Sequence, residues 1–212
     1  MQNRQECDGL GGQLLEVIGL SRILLEHVTA ALCDPDPSAS TRLPNAAIAL
    51  HALRQAVDDQ ALAIEQTRLH PSAIALQTVV AAAQANADAE GVAELARRLA
   101  EIAGARPSRP TGPADVQAIV CSMGQVCVDM MAMAGGTKRS ALVDTETRID
   151  AANAELHRLR QRLYRLLLHS TGPVDVDAAL DASLAGGYYL RCAEHAISMA
   201  RQAVLATDVM PV

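Results

Sequence analysis

The chain has 212 residues, 50% of them hydrophobic, so it is a folding sequence with enough apolar material for one large domain or two small ones, and a disordered chain is excluded. With 1% aromatic residues (three Tyr, no Phe, no Trp), the core must be assembled from Ala, Leu, Val, Ile and Met, whose small side chains let helices approach closely, so an all-α fold is expected. The net charge is −6 and the basic residues are almost all Arg, spread along the chain, which argues against nucleic acid or an anionic membrane surface as a partner.

The opening MQNRQECDGLGG is polar and lacks the basic start and apolar run of a secretion signal. Residues 14 to 32 place Leu14, Val17, Ile18, Leu24, Leu25, Val28 and Leu32 on one stripe and predict a helix that DPDP at 34 to 37 stops. A second helical pattern begins near Pro44 and Asn45 and carries Leu50, Leu53, Val57 and Ile64. His70-Pro71 interrupts it, because proline disfavours helical geometry at the residue before it. A third helix runs from Ser72 to about Ala103, and GARPSRPTGP at 104 to 113 is the strongest linker signal. Beyond it come a helix from Ala114 to about Ala134, a break at Gly135-Gly136, and a long helix with Ile149, Ala152, Leu156, Leu159, Leu163 and Leu166 in three-four spacing. That spacing makes a seam for antiparallel neighbours. TGP at 171 to 173 ends this helix, and a sixth runs from about Asp175 to Thr207. Residues 116 to 134 are the one candidate membrane span, but Gln117, Gln125 and Asp129 lie inside it. A charge there costs about 2.5 to 3.5 kcal/mol on insertion, so a buried helix is expected. Met130, Met131 and Met133 read as core, with an adaptable docking surface as the other reading.

Three helices, a linker and three helices suggest duplication. A shift of 100 residues aligns Ala82, Ala85, Ala93, Glu94, Ala96, Ala100 and Ala103 with the same residue types at 182, 185, 193, 194, 196, 200 and 203. The expected architecture is therefore two tandem antiparallel three-helix bundles, residues 1–106 and 107–212. The five cysteines are odd in number and contain no CxxC, so neither a disulfide framework nor a zinc knuckle is signalled and reduced cytoplasmic thiols are expected.

Glu90 and Glu94 are four residues apart, on a face turned away from the stripe of Val92, Leu95, Leu99 and Ile102. Like charges at that spacing repel. Arg97 and Arg98 could offset them as surface pairs, or the two carboxylates could share a hard cation. The fifth helix has a second pair, Glu146 and Asp150, with Asp144 nearby, and the sixth has Glu194.

YYLRCAEHAISMA at 188 to 200 resembles the final-helix signature of the PhoU family of phosphate-signalling regulators, approximately Y-L-E-R-x-A-D-H-A, with Arg191, Ala193, Glu194, His195 and Ala196 falling on it and Leu190 in place of its first carboxylate. DAEGVAELA at 88 to 96 is similar to a second copy of that pattern, with Gly91 for its Arg and Leu95 for its His, and ETRIDAANAEL at 146 to 156 is similar to an E-x-x-I-D stretch. The resemblance implies two tandem three-helix bundles and metal binding through E/D-x-x-x-D motifs. It also implies a cytoplasmic adaptor that damps phosphate-starvation signalling by contacting a membrane sensor histidine kinase and the ATPase subunit of the phosphate ABC transporter. Such a protein is peripheral to the membrane only through its partners, and a homodimer is compatible with it. The residues carried over as metal ligands are Glu90, Glu94, Glu146, Asp150 and Glu194, an incomplete set that implies a weakly held divalent or trivalent ion, or none.

From the residues alone, His195 reads as a hydrogen-bonded packing histidine, Tyr188 and Tyr189 as caps at the mouth of the helix, and Arg191 as a clamp on Glu194. There is no E-x-x-H, G-x-S-x-G, P-loop or HExxH, so no enzyme is expected. The competing reading is a helical interaction module without metal or phosphate-signalling links.

Overall fold

The computed structural model describes residues 2–34, 39–66, 73–105, 113–136, 142–168 and 175–207. They form six helices: α1 (Gln2–Cys33), α2 (Ala39–Gln66), α3 (Ala73–Ala105), α4 (Ala114–Gly135), α5 (Leu142–Leu168) and α6 (Val176–Thr207). No strand occurs among the described residues. The apolar stripes legible in the sequence are the buried ones: Leu14, Val17, Ile18, Leu24, Leu25, Val28 and Leu32 on α1, Leu50, Val57 and Ile64 on α2, Ile149, Leu156 and Leu163 on α5. Met130 and Met131 are fully buried core residues.

Helix α1 packs on α2 and α3, and α4 packs on α5 and α6, giving two successive three-helix units. The units meet along α1 against α4 and α3 against α6. Both crossings are antiparallel. Ile18 lies against Gly135 while Thr29 lies against Gly124; Asp88 meets His195 while Arg98 meets Tyr188. The buried residues of both units form one continuous cluster, so α1, α3, α4 and α6 make a shared centre and α2 and α5 flank it. The expected unit boundary at 106–107, the His70-Pro71 break and the TGP turn lie outside the described residues.

The crossings work because small residues face large ones. Gly124 on α4 sits where a Cβ would overlap both Thr29 of α1 and the Tyr189 hydroxyl of α6. That vacancy lets Tyr189 lie fully buried and share a hydrogen bond of 3.0 Å with Thr29, so the one polar atom of the largest core side chain is satisfied. Helix α4 is long and apolar enough to cross a membrane, and 50% of its most apolar window is buried within the fold. Its polar residues have protein partners: Gln125 donates to Asp129 at 2.9 Å on the exposed face. Gln117 donates to the Leu32 and Cys33 carbonyls (3.2 and 3.4 Å), which end α1 and lack helical donors.

Four details depart from the sequence reading. Helix α1 starts at Gln2 and runs through Gly9, Gly11 and Gly12 despite glycine's poor helix propensity. Helix α2 starts at Ala39 and accommodates Pro44 in its second turn, at the loss of one backbone hydrogen bond. The tyrosines lie in the middle of α6, not at its mouth. Cys33 and Cys121 are joined by a disulfide with Cα atoms 5.7 Å apart, which corrects the expectation of reduced thiols throughout. The partners are 88 residues apart in sequence and only the α1–α4 crossing brings them together. Cys127 and Cys192 remain free and buried; burial raises the Cys192 thiol to about 12.

Reduction, or the double change C33S/C121S, is expected to lower the thermal midpoint by roughly 5 to 15 °C, the scale of a cross-link worth about 2 to 4 kcal/mol in a chain this size. Differential scanning calorimetry with and without reductant measures this, and an unchanged midpoint would show the thiols unpaired. Gly124→Ala is expected to cost about 1 to 3 kcal/mol by overpacking. Gly187→Ala, whose Cβ would meet nothing within 4 Å, is expected to be neutral or stabilising by up to about 1 kcal/mol. Urea denaturation of the two variants compares them.

Candidate functional site: the charged faces of the flanking helices

On the α2–α3 face the organising group is Arg54, whose side chain is only 16% exposed. Its Nε donates to the Asn86 carbonyl and to Asn86 Oδ1 (both 3.1 Å), and Nη2 donates to Glu90 Oε2 at 3.0 Å. Asn86 is itself buried and returns Nδ2 to the Arg54 carbonyl (3.2 Å) and to Asp58 Oδ1 (2.6 Å). The network fixes a guanidinium beside Glu90, whose side chain is 71% exposed. One turn on, Arg97 grips Glu94 with Nε and Nη2 (2.9 and 2.8 Å) and Arg98 adds a third bond at 2.9 Å. Hydrogen bonds from Arg97 first and Arg98 second hold the Glu94 carboxyl down at about 2. Arg97 also reaches Glu101. Both acids do face outward, as their helical phase predicted, and arginines occupy them.

The α3–α6 seam carries its own polar contact. His195 Nδ1 and Asp88 Oδ1 are 3.0 Å apart, and a Cβ at Gly91 would overlap the imidazole, so the absence of a side chain at Gly91 makes room for the ring. Asp88 is buried, and its Oδ2 has no hydrogen-bond partner among the described residues. His195 is thus a packing histidine with a hydrogen bond, as its position on the helix suggested. Arg98 lies 5.9 Å above the Tyr188 ring, tying the Glu94 cluster to α6. Burial pushes the Tyr189 hydroxyl well above its ordinary value, so it stays protonated and can donate.

Between α5 and α6 runs a groove of about 460 Å³ with Ile149, Ile197, Ala200, Val204 and Leu205 along its apolar surface and Glu146, Asp150 and Arg201 among its lining residues. Glu194 is exposed on α6 and does not line the groove, and no ion pair joins it to Arg191 among the described residues. Leu190, where the family pattern has a carboxylate, is buried.

The five acids therefore lie in separate surroundings: Glu90 on Arg54, Glu94 on Arg97 and Arg98, Glu146 and Asp150 in the α5–α6 groove, Glu194 on the surface. No group of three or more His, Cys, Asp or Glu among the described residues is placed to hold a metal ion. The residues do not fit a multinuclear cluster, and the positive charge beside the first pair is supplied by guanidinium groups. Sequence reasoning missed Arg54, and it placed Asp88 on the family pattern without its partner. Arg54 sits one helix away from the acid it neutralises, and Asp88 is 107 residues from its histidine, so neither partnership has a local signal.

These features define an all-helical protein of two three-helix units with arginine-neutralised acids on its outer faces. No protein-family model matches the chain. It is 27% identical to the phosphate-specific transport system accessory protein PhoU homolog 2 of Mycobacterium bovis, over 98% of this chain and 97% of that protein. It is 26% identical to PhoU homolog 1 of Mycobacterium leprae over 98% and 93%. The crystal structure of PhoU from Pseudomonas aeruginosa superposes with a TM-score of 0.73 at 17% identity, covering 97% of this chain and 99% of that one. The chain is thus similar over its whole length to proteins named as PhoU homologs and shares the PhoU fold.

Glu90→Ala with Glu94→Ala is expected to leave helicity unchanged by circular dichroism, since both carboxylates are solvent-facing. Arg54→Ala, which strips partners from buried Asn86, is expected to cost about 2 to 3 kcal/mol, read by urea denaturation. Because the folded-state value of Glu94 is depressed, any stability it lends is present above the ordinary carboxylate range and disappears as pH falls toward 2. A carboxyl-carbon NMR titration is expected to show Glu94 ionised down to about pH 2 and to move to a higher value in Arg97→Gln/Arg98→Gln.

Proposed function

We propose that this protein is an accessory regulator of phosphate uptake that restrains phosphate-starvation signalling, acting as a cytoplasmic adaptor between a sensor histidine kinase and the ATPase subunit of the phosphate ABC transporter. The observation that carries the reading is likeness over the full length to proteins named as phosphate-specific transport system accessory proteins, joined to a PhoU-like fold. The shape suits an adaptor. The centre is filled by aliphatic side chains and the charged groups lie on the flanking faces, so binding would use the outside of the helices. The role assigned here needs no resident metal at the first acidic pair, because Arg54, Arg97 and Arg98 already neutralise Glu90 and Glu94.

That last observation also favours a second reading, a helical interaction module whose partners lie outside phosphate signalling. One experiment separates the two. Deletion of the gene in its host is expected to derepress a phosphate-starvation reporter in phosphate-rich medium, and a plasmid copy to restore repression. A deletion strain with an unaltered reporter, together with no binding of the purified protein to the kinase or the transporter ATPase by calorimetry, would favour the second reading.

A further inference from the structure

Among the described residues one covalent bond, Cys33–Cys121, ties the first three-helix unit to the second, and it sits where a reagent can reach it. Cys33 is the last residue of α1 and Cys121 lies two turns into α4. Both are half-buried, and with Thr29 and the exposed Glu26, Ser122 and Gln125 they line a cavity of about 430 Å³. Cys127 and Cys192 are fully buried, and burial raises both of their thiols, which leaves them protonated, poorly nucleophilic and out of reach. The sulfur chemistry open to solvent at this crossing is thus gathered in one place.

The position of the bond along the crossing decides what its opening releases. Ile18 lies against Gly135 and Thr29 against Gly124, and the Thr29 hydroxyl is tied to Tyr189 of α6 at 3.0 Å, so the crossing is held by packing as far as Thr29. Past that point the bridge is joined by Gln117, four residues before Cys121, whose bonds to the Leu32 and Cys33 carbonyls are long at 3.2 and 3.4 Å. Opening the bridge therefore frees the final turn of α1 from α4 and leaves the Thr29–Tyr189 contact and the α3–α6 seam closed.

We propose that Cys33 and Cys121 are a reversible redox site, at which exchange with a small cellular thiol and its disulfide sets whether the end of α1 is clamped to α4. The thiolate of one small thiol attacks one sulfur of the bridge, forming a mixed disulfide and releasing the other cysteine, which takes up the proton that the attacking thiol gave up. A second small thiolate attacks its own sulfur in the mixed disulfide, so that a small disulfide leaves and the second cysteine is protonated in turn. Two electrons and two protons pass to the protein, and the small disulfide drives the same steps backwards. The cytoplasmic setting proposed above is one in which disulfides are made and broken rather than kept. The inference rests on that reading for its setting alone, since the chemistry belongs to the purified chain.

Glutathione tests the site on the folded full-length chain, with the reduced-to-oxidised ratio stepped over a wide range, thiols trapped by a maleimide and peptide mass mapping to place them. Two thiols are expected to appear together as the ratio rises, at Cys33 and Cys121, and to disappear when it is lowered, with Cys127 and Cys192 unlabelled throughout. Hydrogen–deuterium exchange is expected to run about tenfold or more faster in the reduced form at residues 30–34 and 117–122, and to be unchanged around Asp88 and His195. The C33S/C121S chain is expected to exchange like the reduced wild type in every buffer. A bond that survives the most reducing ratio until the chain is unfolded, or a pair that does not re-form, would overturn the proposal. So would reduction that speeds exchange throughout the molecule or nowhere in it. Neither kinase nor transporter enters these measurements, so their failure leaves the adaptor reading standing, and an unaltered starvation reporter leaves the redox site standing.

Discussion

The separation between α1 and α4 and between α3 and α6 governs this fold. With no Phe or Trp to span a wide gap, the two units can share a core only if their helices lie close, and closeness requires small side chains at the contact points. Gly124 meets Thr29 and Tyr189, Gly91 meets His195, and a run of buried alanines (Ala82, Ala85 and Ala89 on α3; Ala182, Ala185, Ala193 and Ala196 on α6) lines the centre. Met123, Met130, Met131 and Met199 fill the irregular spaces left over. Because the cluster is continuous across the seam, the two units stabilise one another.

The solvent-facing sides of the helices follow a different logic. At the α2–α3 face Glu90 and Glu94 are held by arginines, of which Arg54 is anchored by a backbone carbonyl and Arg98 lies over an aromatic ring. On α5, Asp144 and Glu155 pair with Arg148 and Arg158 of the same helix, while Glu146 and Asp150 line the α5–α6 groove.

Most of the helical architecture was legible in the sequence, because aliphatic residues at three-four spacing leave few alternatives once aromatic residues are absent. Five of the six helices end within about three residues of their sequence-based limits at the end where Pro, Gly or a cluster of them breaks the period. What was hidden depends on pairs distant in the chain. The Cys33–Cys121 bond depends on the α1–α4 crossing, and the Arg54 network on Asn86 of the next helix. The family signature in α6 located His195 and Glu194 but did not show that Asp88 would engage the one while the other stays on the surface. Periodicity reports which face is inward and is silent on which neighbour waits there.

The fit of His195 into the space above Gly91 bears on how the halves have diverged. Their counterparts one repeat away are Leu95 and Arg191, so the seam pairs a ring with a bare backbone on one side and nothing equivalent on the other. A chain rebuilt from two copies of either half would bring two rings, or none, to the same crossing. The bare backbone at Gly91 and the ring at His195 depend on one another, so a side chain gained at the first position displaces the second.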